Sequence, residues 1–213
     1  MIGGVAWSTL LDLTLRHLYL AALPLLIGLI ISLPLGWVAA RYRWAAPTIV
    51  AGTGLLYTIP SLALFILLPL ITGAQILDDS NVLIAMTVYT VALLPRTVAA
   101  GFTSVPSATR QAAPAMGYGE LRRTVVVDLP LAVPVLPAGL RVAAVSNVSI
   151  VSIAALIGVS QLGSLFTQGF SRNNLDPIVV GVVASVALAL TLDLLIALGS
   201  RLLTPWLRAG VPR

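Results

Sequence analysis

Residues 18–40 form a run of 23 residues without a charged side chain. As a helix rising 1.5 Å per residue, such a run is about 34 Å long, enough to cross the roughly 30 Å hydrocarbon core of a bilayer. Pro24 and Pro34 lie inside it, which membrane helices tolerate where neighbours satisfy the freed carbonyls. Further apolar runs follow at 48–70, 82–100, 140–157 and 178–203. Five such runs predict an all-α polytopic membrane protein with about five transmembrane helices, residues 1–213 forming one domain. Composition supports this: 59% of residues are hydrophobic and 9% charged, against about 25% charged in a soluble domain. Asp12, Arg16 and His17 precede the first run, and the run is too long for a cleavable leader's core of about 7–15 residues. It is therefore expected to be retained as a span.

The net charge is +5, and every basic residue is arginine. In a membrane protein this charge sets orientation rather than binding nucleic acid. With the segment 106–130 in the cytoplasm, five spans place Arg41, Arg43, Arg96, Arg110, Arg122, Arg123, Arg201, Arg208 and Arg213 inside, against Arg16 and Arg172 outside. The N-terminus is then expected outside and the C-terminus in the cytoplasm. The absence of cysteine excludes disulfides and thiolate metal sites, and a single histidine excludes a multi-histidine metal centre. His17 has no Gly-x-Ser-x-Gly motif with it, which argues against an intramembrane hydrolase.

Polar residues inside the runs are the candidate site residues. Tyr57, Thr58 and Ser61 cluster at Pro60, which is expected to bend the second span, with Tyr57 and Ser61 one turn apart on a face. Ser146, Ser149 and Ser152 recur at intervals of three with Asn147 beside them. Both groups read either as helix–helix packing contacts or as a pathway lining. Pro134 and Pro137 are expected to break an interfacial segment from the fourth span, and 162–170 to form a short interfacial helix. Arg141 and Asp193 fall within or near spans. Buried charge is costly unless paired or wetted, so they either pair, within or across protomers, or each reach interfacial water.

Residues 111–130, QAAPAMGYGELRRTVVVDLP, are the longest interruption between apolar runs. One short helix is expected from Ser107, with Ser107 as its cap, to Gly117-Tyr118-Gly119, where glycine suits a left-handed C-cap. A second is expected from Glu120, whose charge favours a helix N-terminus, to about Asp128, with Leu129-Pro130 redirecting the chain. The small residues of the first helix permit a close approach by another backbone, as when a helix lies in a partner's groove. An ordinary amphipathic interfacial loop has the same composition.

This stretch resembles the signature loop of permease subunits in ATP-binding-cassette importers: Glu-Ala-Ala, three residues, Gly, nine residues, an aliphatic, any residue, Leu-Pro. The chain supplies Gln111, Ala112 and Ala113, then Gly117, Val127 and Leu129-Pro130, every spacing fitting and Gln111 replacing Glu. The stretches 57–64, 128–135 with 138–141, and 154–158 with 162–163 look like the osmoprotectant permeases, which import glycine betaine, choline, carnitine or proline betaine. That similarity covers roughly residues 15–203. Amino-acid permeases such as the methionine type share much of the pattern, and a membrane scaffold or sensor is the alternative from another class.

The resemblance implies the type I importer permease fold, with 106–130 as a cytoplasmic coupling-helix loop in a prokaryotic cell membrane. Gln111, Ala112, Ala113, Gly117, Tyr118, Gly119 and Glu120 would couple to a separate ATPase subunit carrying ATP and Mg. The chain itself lacks lysine and so the usual phosphate-binding loop; no cofactor is expected in it. An extracytoplasmic substrate-binding protein and a second permease copy, identical or paralogous, complete the implied assembly. Few aromatics lie in the spans, Tyr57 and Tyr89 being the obvious ones, so high-affinity recognition of a quaternary ammonium is expected on the binding protein.

Overall fold

The computed structural model describes residues 4–75 and 78–206. Its helices are α1 (Trp7–Arg41), α2 (Ala45–Leu56), α3 (Ser61–Thr72), α4 (Asp79–Thr103), α5 (Ser107–Ala115), α6 (Glu120–Ile157), α7 (Ser164–Ser171) and α8 (Leu175–Leu203). Helices α1, α4, α6 and α8 are each long and apolar enough to cross a membrane. Arg208 and Arg213, used above in the charge count, lie outside the described residues.

Helices α1 and α4 run parallel and form the central pair. Arg16 meets Asp79 at one end, Gly28 faces Thr90 midway, and Gly36 faces Val98 near the other end. A Cβ on Gly28 would sit 2.4 Å from Thr90 Cγ2, and one on Gly36 2.4 Å from Val98 Cβ. The two glycines, two turns apart, thus let the backbones approach closely, the usual device where lipid supplies no hydrophobic drive between helices.

Two parallel neighbours require the chain to return the full height between them. That return is α2–α3, bent by 96° at residues 57–60. Each arm has 12 residues, about 18 Å of helix, too short to cross alone. The pair therefore acts as one broken span. The bend expected at Pro60 is present, but it breaks the helix, which corrects the expected shared face: Tyr57 caps the end of α2 and Ser61 opens α3, so they do not lie one turn apart on one helix.

α1 also begins at Trp7, earlier than the expected 18–40. Asp12 and Arg16 do not stop it, because both lie on its exposed side while Leu13, His17 and Leu20 face inward.

α6 is the other departure. No break separates an interfacial piece from the span, and Leu129-Pro130 does not redirect the chain; helix continues from Glu120 to Ile157. A π-helical stretch at Thr124–Asp128 and a 3₁₀ turn at Val133–Val135 reset the register. Pro130 and Pro137 each fall in the first two positions of the segment that follows such a reset, and Pro134 in the first two positions of the 3₁₀ turn itself. There a missing N–H costs little, so three prolines pass without breaking the helix. Near the far end, α7 lies over α8, with Gly181 packed against Leu165 and Phe166.

The main core joins Leu20 and Leu25 of α1, Phe65 of α3, Val82, Met86 and Tyr89 of α4, Val148 and Val151 of α6, and Leu188 of α8. A smaller cluster, Val98, Phe102, Ala132 and Leu136, ties α4 to α6 near the α5 end. Leu26, Ile30, Leu70, Leu190 and Leu194 are exposed on the outer faces, as befits side chains that meet lipid.

Candidate functional site

The α5 loop is closed by its glycine. Gly117 has φ +83°, the left-handed region that glycine adopts without penalty. Its N–H donates to the Pro114 carbonyl at 2.9 Å, and the Tyr118 N–H donates to Ala113 at 3.1 Å. This is the paired bonding of a Schellman motif, which satisfies the last carbonyls of α5. At the other end Pro106, not Ser107, occupies the cap position, with no side-chain bond. Proline fits a helix start, so a hydroxyl cap is not required there.

α5 shows two sides. Ala113 is fully buried, and Gln111, Ala112, Ala115 and Met116 are exposed. Exposure at Gly117, Gly119 and Glu120, with Tyr118 partly covered, continues the outer surface. The Arg122 guanidinium stacks 5.1 Å from the Tyr118 ring centre. Glu120 forms a 2.9 Å ion pair with Arg41, the last residue of α1. Arg123 donates to the nearly buried Asp128 at 3.2 Å; the π-helical stretch brings residues five apart onto one side. A cavity of about 150 Å³ opens between these elements, lined by Trp37, Arg41, Phe102, Arg110, Arg123 and Asp128.

At the α2–α3 bend, the Tyr89 hydroxyl donates to the Ile59 carbonyl, and the Tyr57 ring stands edge-on to Tyr89 at 5.7 Å. Thr58 donates to Leu55 at 2.7 Å. Tyr57 and Thr58 are exposed and Ser61 is half-buried.

A groove runs along α6 and α8. One part, about 530 Å³, is lined by Ala138, Arg141, Val142, Val145, Ser146 and Asp193. The adjoining part, about 340 Å³, shares Val145 and adds Ser149, Ser152 and Ser185. Arg141 and Asp193 form a two-point pair: Nε donates to Oδ1 at 2.6 Å and Nη2 to Oδ2 at 2.7 Å. Such fork-to-fork contacts are the strong form of this interaction. Of the two readings offered for these charges, pairing within one chain is the one the geometry displays.

Asn147 does not belong to this groove. It is fully buried, and its amide donates to the Ala21 carbonyl and to Thr90 Oγ1, both at 3.1 Å, joining α6 to α1 and α4. Ser146, the residue before it, lines the groove instead, because residues one apart on a helix point about 100° apart.

Sequence reasoning missed a second polar junction. His17 is fully buried, its Nε2 donates to the Val148 carbonyl at 3.0 Å, and its Nδ1 lies 2.9 Å from Gln161 Oε1. Gln161 Nε2 in turn donates to the Val151 carbonyl at 3.0 Å. The one available signal was a lone histidine beside an apolar run. No metal-holding group of three or more His, Cys, Asp or Glu occurs among the described residues.

The family model described as "Binding-protein-dependent transport system inner membrane component" matches residues 32–209. The chain is 36% identical over 200 residues to the Osmoprotectant import permease protein OsmW of Salmonella typhimurium (strain LT2), covering 92% of each chain. It is 30% identical over 191 residues to the Glycine betaine/carnitine/choline transport system permease protein OpuCD of Bacillus subtilis (strain 168), covering 89% of this chain and 82% of that one. Among solved structures, an inward-facing form of the MetNI methionine ABC transporter superposes with TM-score 0.80 at 19% identity, over 93% of this chain and 97% of that one. An amino acid ABC transporter crystallised with histidines gives TM-score 0.73 at 17% identity, over 91% and 94%.

Proposed function

The chain belongs to the family of inner-membrane components of binding-protein-dependent transport systems, and on that premise we propose that it is the permease subunit of an ATP-driven importer for a quaternary-ammonium osmoprotectant such as glycine betaine, carnitine or choline. It is a multi-pass membrane protein with the type I importer permease fold. The cargo is inferred from the relatives named as osmoprotectant and glycine betaine permeases. A methionine-type cargo is the second reading, and it rests on fold likeness at 19% identity.

The observation that carries coupling is the build of α5. Its far side is anchored through Ala113, its end is fixed by Gly117, and its outer side is free to enter a groove on another protein. The partner on that side is an ATPase subunit, which holds the ATP and Mg. A substrate-binding protein delivers cargo at the opposite end, and a second permease copy completes the pathway. α5 then lies in the cytoplasm, the N-terminus outside and the C-terminus inside, in the cell membrane of a prokaryote.

Two routes lead from α5 into the bundle. Through Glu120 it continues as α6, one helix to Ile157. Through the Glu120–Arg41 pair it holds the end of α1. Closure of the ATPase pair would move α5 and, through these routes, rock the spans between inward- and outward-facing states.

Uptake tests the cargo. Vesicles holding the assembled transporter and its binding protein should accumulate labelled glycine betaine when ATP is supplied inside. Excess carnitine or choline should compete and excess methionine should not. Competition by methionine alone would assign the transporter to the amino-acid type.

A further inference from the structure

Arg141 and Asp193 pose a solvation problem that the fold of one chain does not solve. Asp193 lies ten residues before Leu203, the end of α8, or about 15 Å along the helix. That is well inside the hydrocarbon depth of an apolar span. Yet the Arg141 side chain is 48% exposed and the Asp193 side chain 25%. Charges at such depth face protein or a water-filled cavity, not lipid. The same side of α6 carries Ser146, Ser149 and Ser152, and Ser185 of α8 has a buried hydroxyl with no partner. The groove therefore carries a file of hydroxyls leading from the charge pair along otherwise apolar walls that include Val142, Val145, Val182 and Val186, and the pair is not isolated on a lipid face.

We propose that this groove lines the transport pathway and that Arg141 and Asp193 together form a transit site for a zwitterion that joins a carboxylate to a quaternary ammonium. The inference rests on the cargo class proposed above and narrows it. A carboxylate takes the place of Asp193 on the guanidinium fork of Arg141, which is built for two-point recognition of such a group. The released Asp193 carboxylate then neutralises the cargo's ammonium, which has no N–H and asks only for nearby negative charge. One ion pair becomes two, so the charges stay compensated while cargo passes. The 530 Å³ part of the groove has no aromatic lining to cage the ammonium, and occupancy is correspondingly brief. A plain cation such as choline satisfies Asp193 alone and leaves Arg141 without a partner, so the site favours the zwitterion.

The chain has no cysteine, so Ser146→Cys puts a single reporter thiol in the groove. The assembled transporter in membrane vesicles is labelled with a small membrane-impermeant thiol reagent, the cysteine-free wild type serving as blank. The reagent is expected to label position 146, and excess glycine betaine to slow labelling at least fivefold, with equimolar choline slowing it less than twofold. Adding Arg141→Gln is expected to leave labelling intact and abolish protection by glycine betaine. Absence of labelling overturns the proposal, the groove being covered by lipid or by a second copy. Labelling that glycine betaine does not slow, in vesicles that still accumulate it, overturns the transit site alone. Vesicles that accumulate no glycine betaine overturn the cargo reading and this inference with it.

Discussion

Arg41 and Glu120 meet at 2.9 Å, joining the last residue of α1 to the first residue of α6. The pair bridges the α5 loop and the central helix, so its effect on coupling should exceed its effect on stability. Both side chains are about half exposed, and an exposed pair contributes only about 0.2–1 kcal/mol. Glu120→Gln should shift the melting temperature in detergent by a few degrees at most. Cargo moved per ATP hydrolysed should fall several-fold, read from transport and hydrolysis in the same vesicles. An unchanged ratio would remove Arg41–Glu120 from the coupling path.

Asn147 should behave as a structural residue. It holds α6 to α1 and α4 through two donated hydrogen bonds in a fully buried position. Interhelical hydrogen bonds in membranes contribute about 0.6 kcal/mol each and rarely above about 2, and truncation adds a small cavity. Asn147→Ala should lower stability by about 1–3 kcal/mol without changing cargo preference. Ser149→Ala, on the exposed groove, should leave stability unchanged. Thermal unfolding of both variants, followed by cargo competition, checks the contrast.

The α1–α4 contact should reject a single methyl group. A Cβ at Gly36 would lie 2.4 Å from Val98 Cβ and 2.9 Å from the Ala99 amide nitrogen, so backbone must shift. Overpacking of this kind costs about 1–3 kcal/mol. Gly36→Ala should therefore lower the yield of folded, monodisperse protein and its melting temperature. Gly52→Ala meets nothing within 4 Å and should be neutral. Equal stability of the two variants would contradict the packing described.

Much of this was legible in the sequence, because lipid imposes long apolar runs and the α5 loop has fixed spacings. Gly117 was expected to end α5, and it does so with a positive φ. What stayed hidden depended on contacts between distant residues. The size of the α2–α3 bend, 96°, is held partly by Tyr89 reaching Ile59, 30 residues away. Proline alone announces a bend but not its angle. The three prolines of α6 read as breaks because their effect depends on helix register, and π and 3₁₀ turns leave no sequence signature. His17 and Gln161 are 144 residues apart, beyond any local periodicity. Arg141 and Asp193 could be flagged because charge in an apolar run demands a reason, although their 52-residue separation is silent about pairing.

The most direct test of the permease assignment is recovery of an ATPase through α5. The tagged chain is expressed with its natural partners, solubilised gently and purified, alongside Gly117→Trp and Gln111→Trp. Gly117 has φ +83° with open space where a side chain would project, and Gln111 is exposed on α5. Both changes thus put bulk on the docking surface, and the Gln111 variant does so without straining the backbone. An ATPase subunit that accompanies the wild type and is lost from both variants, while the Gln111 variant melts like the wild type, is the predicted result. An ATPase retained by both variants, or absent from a folded wild type, would contradict docking through α5.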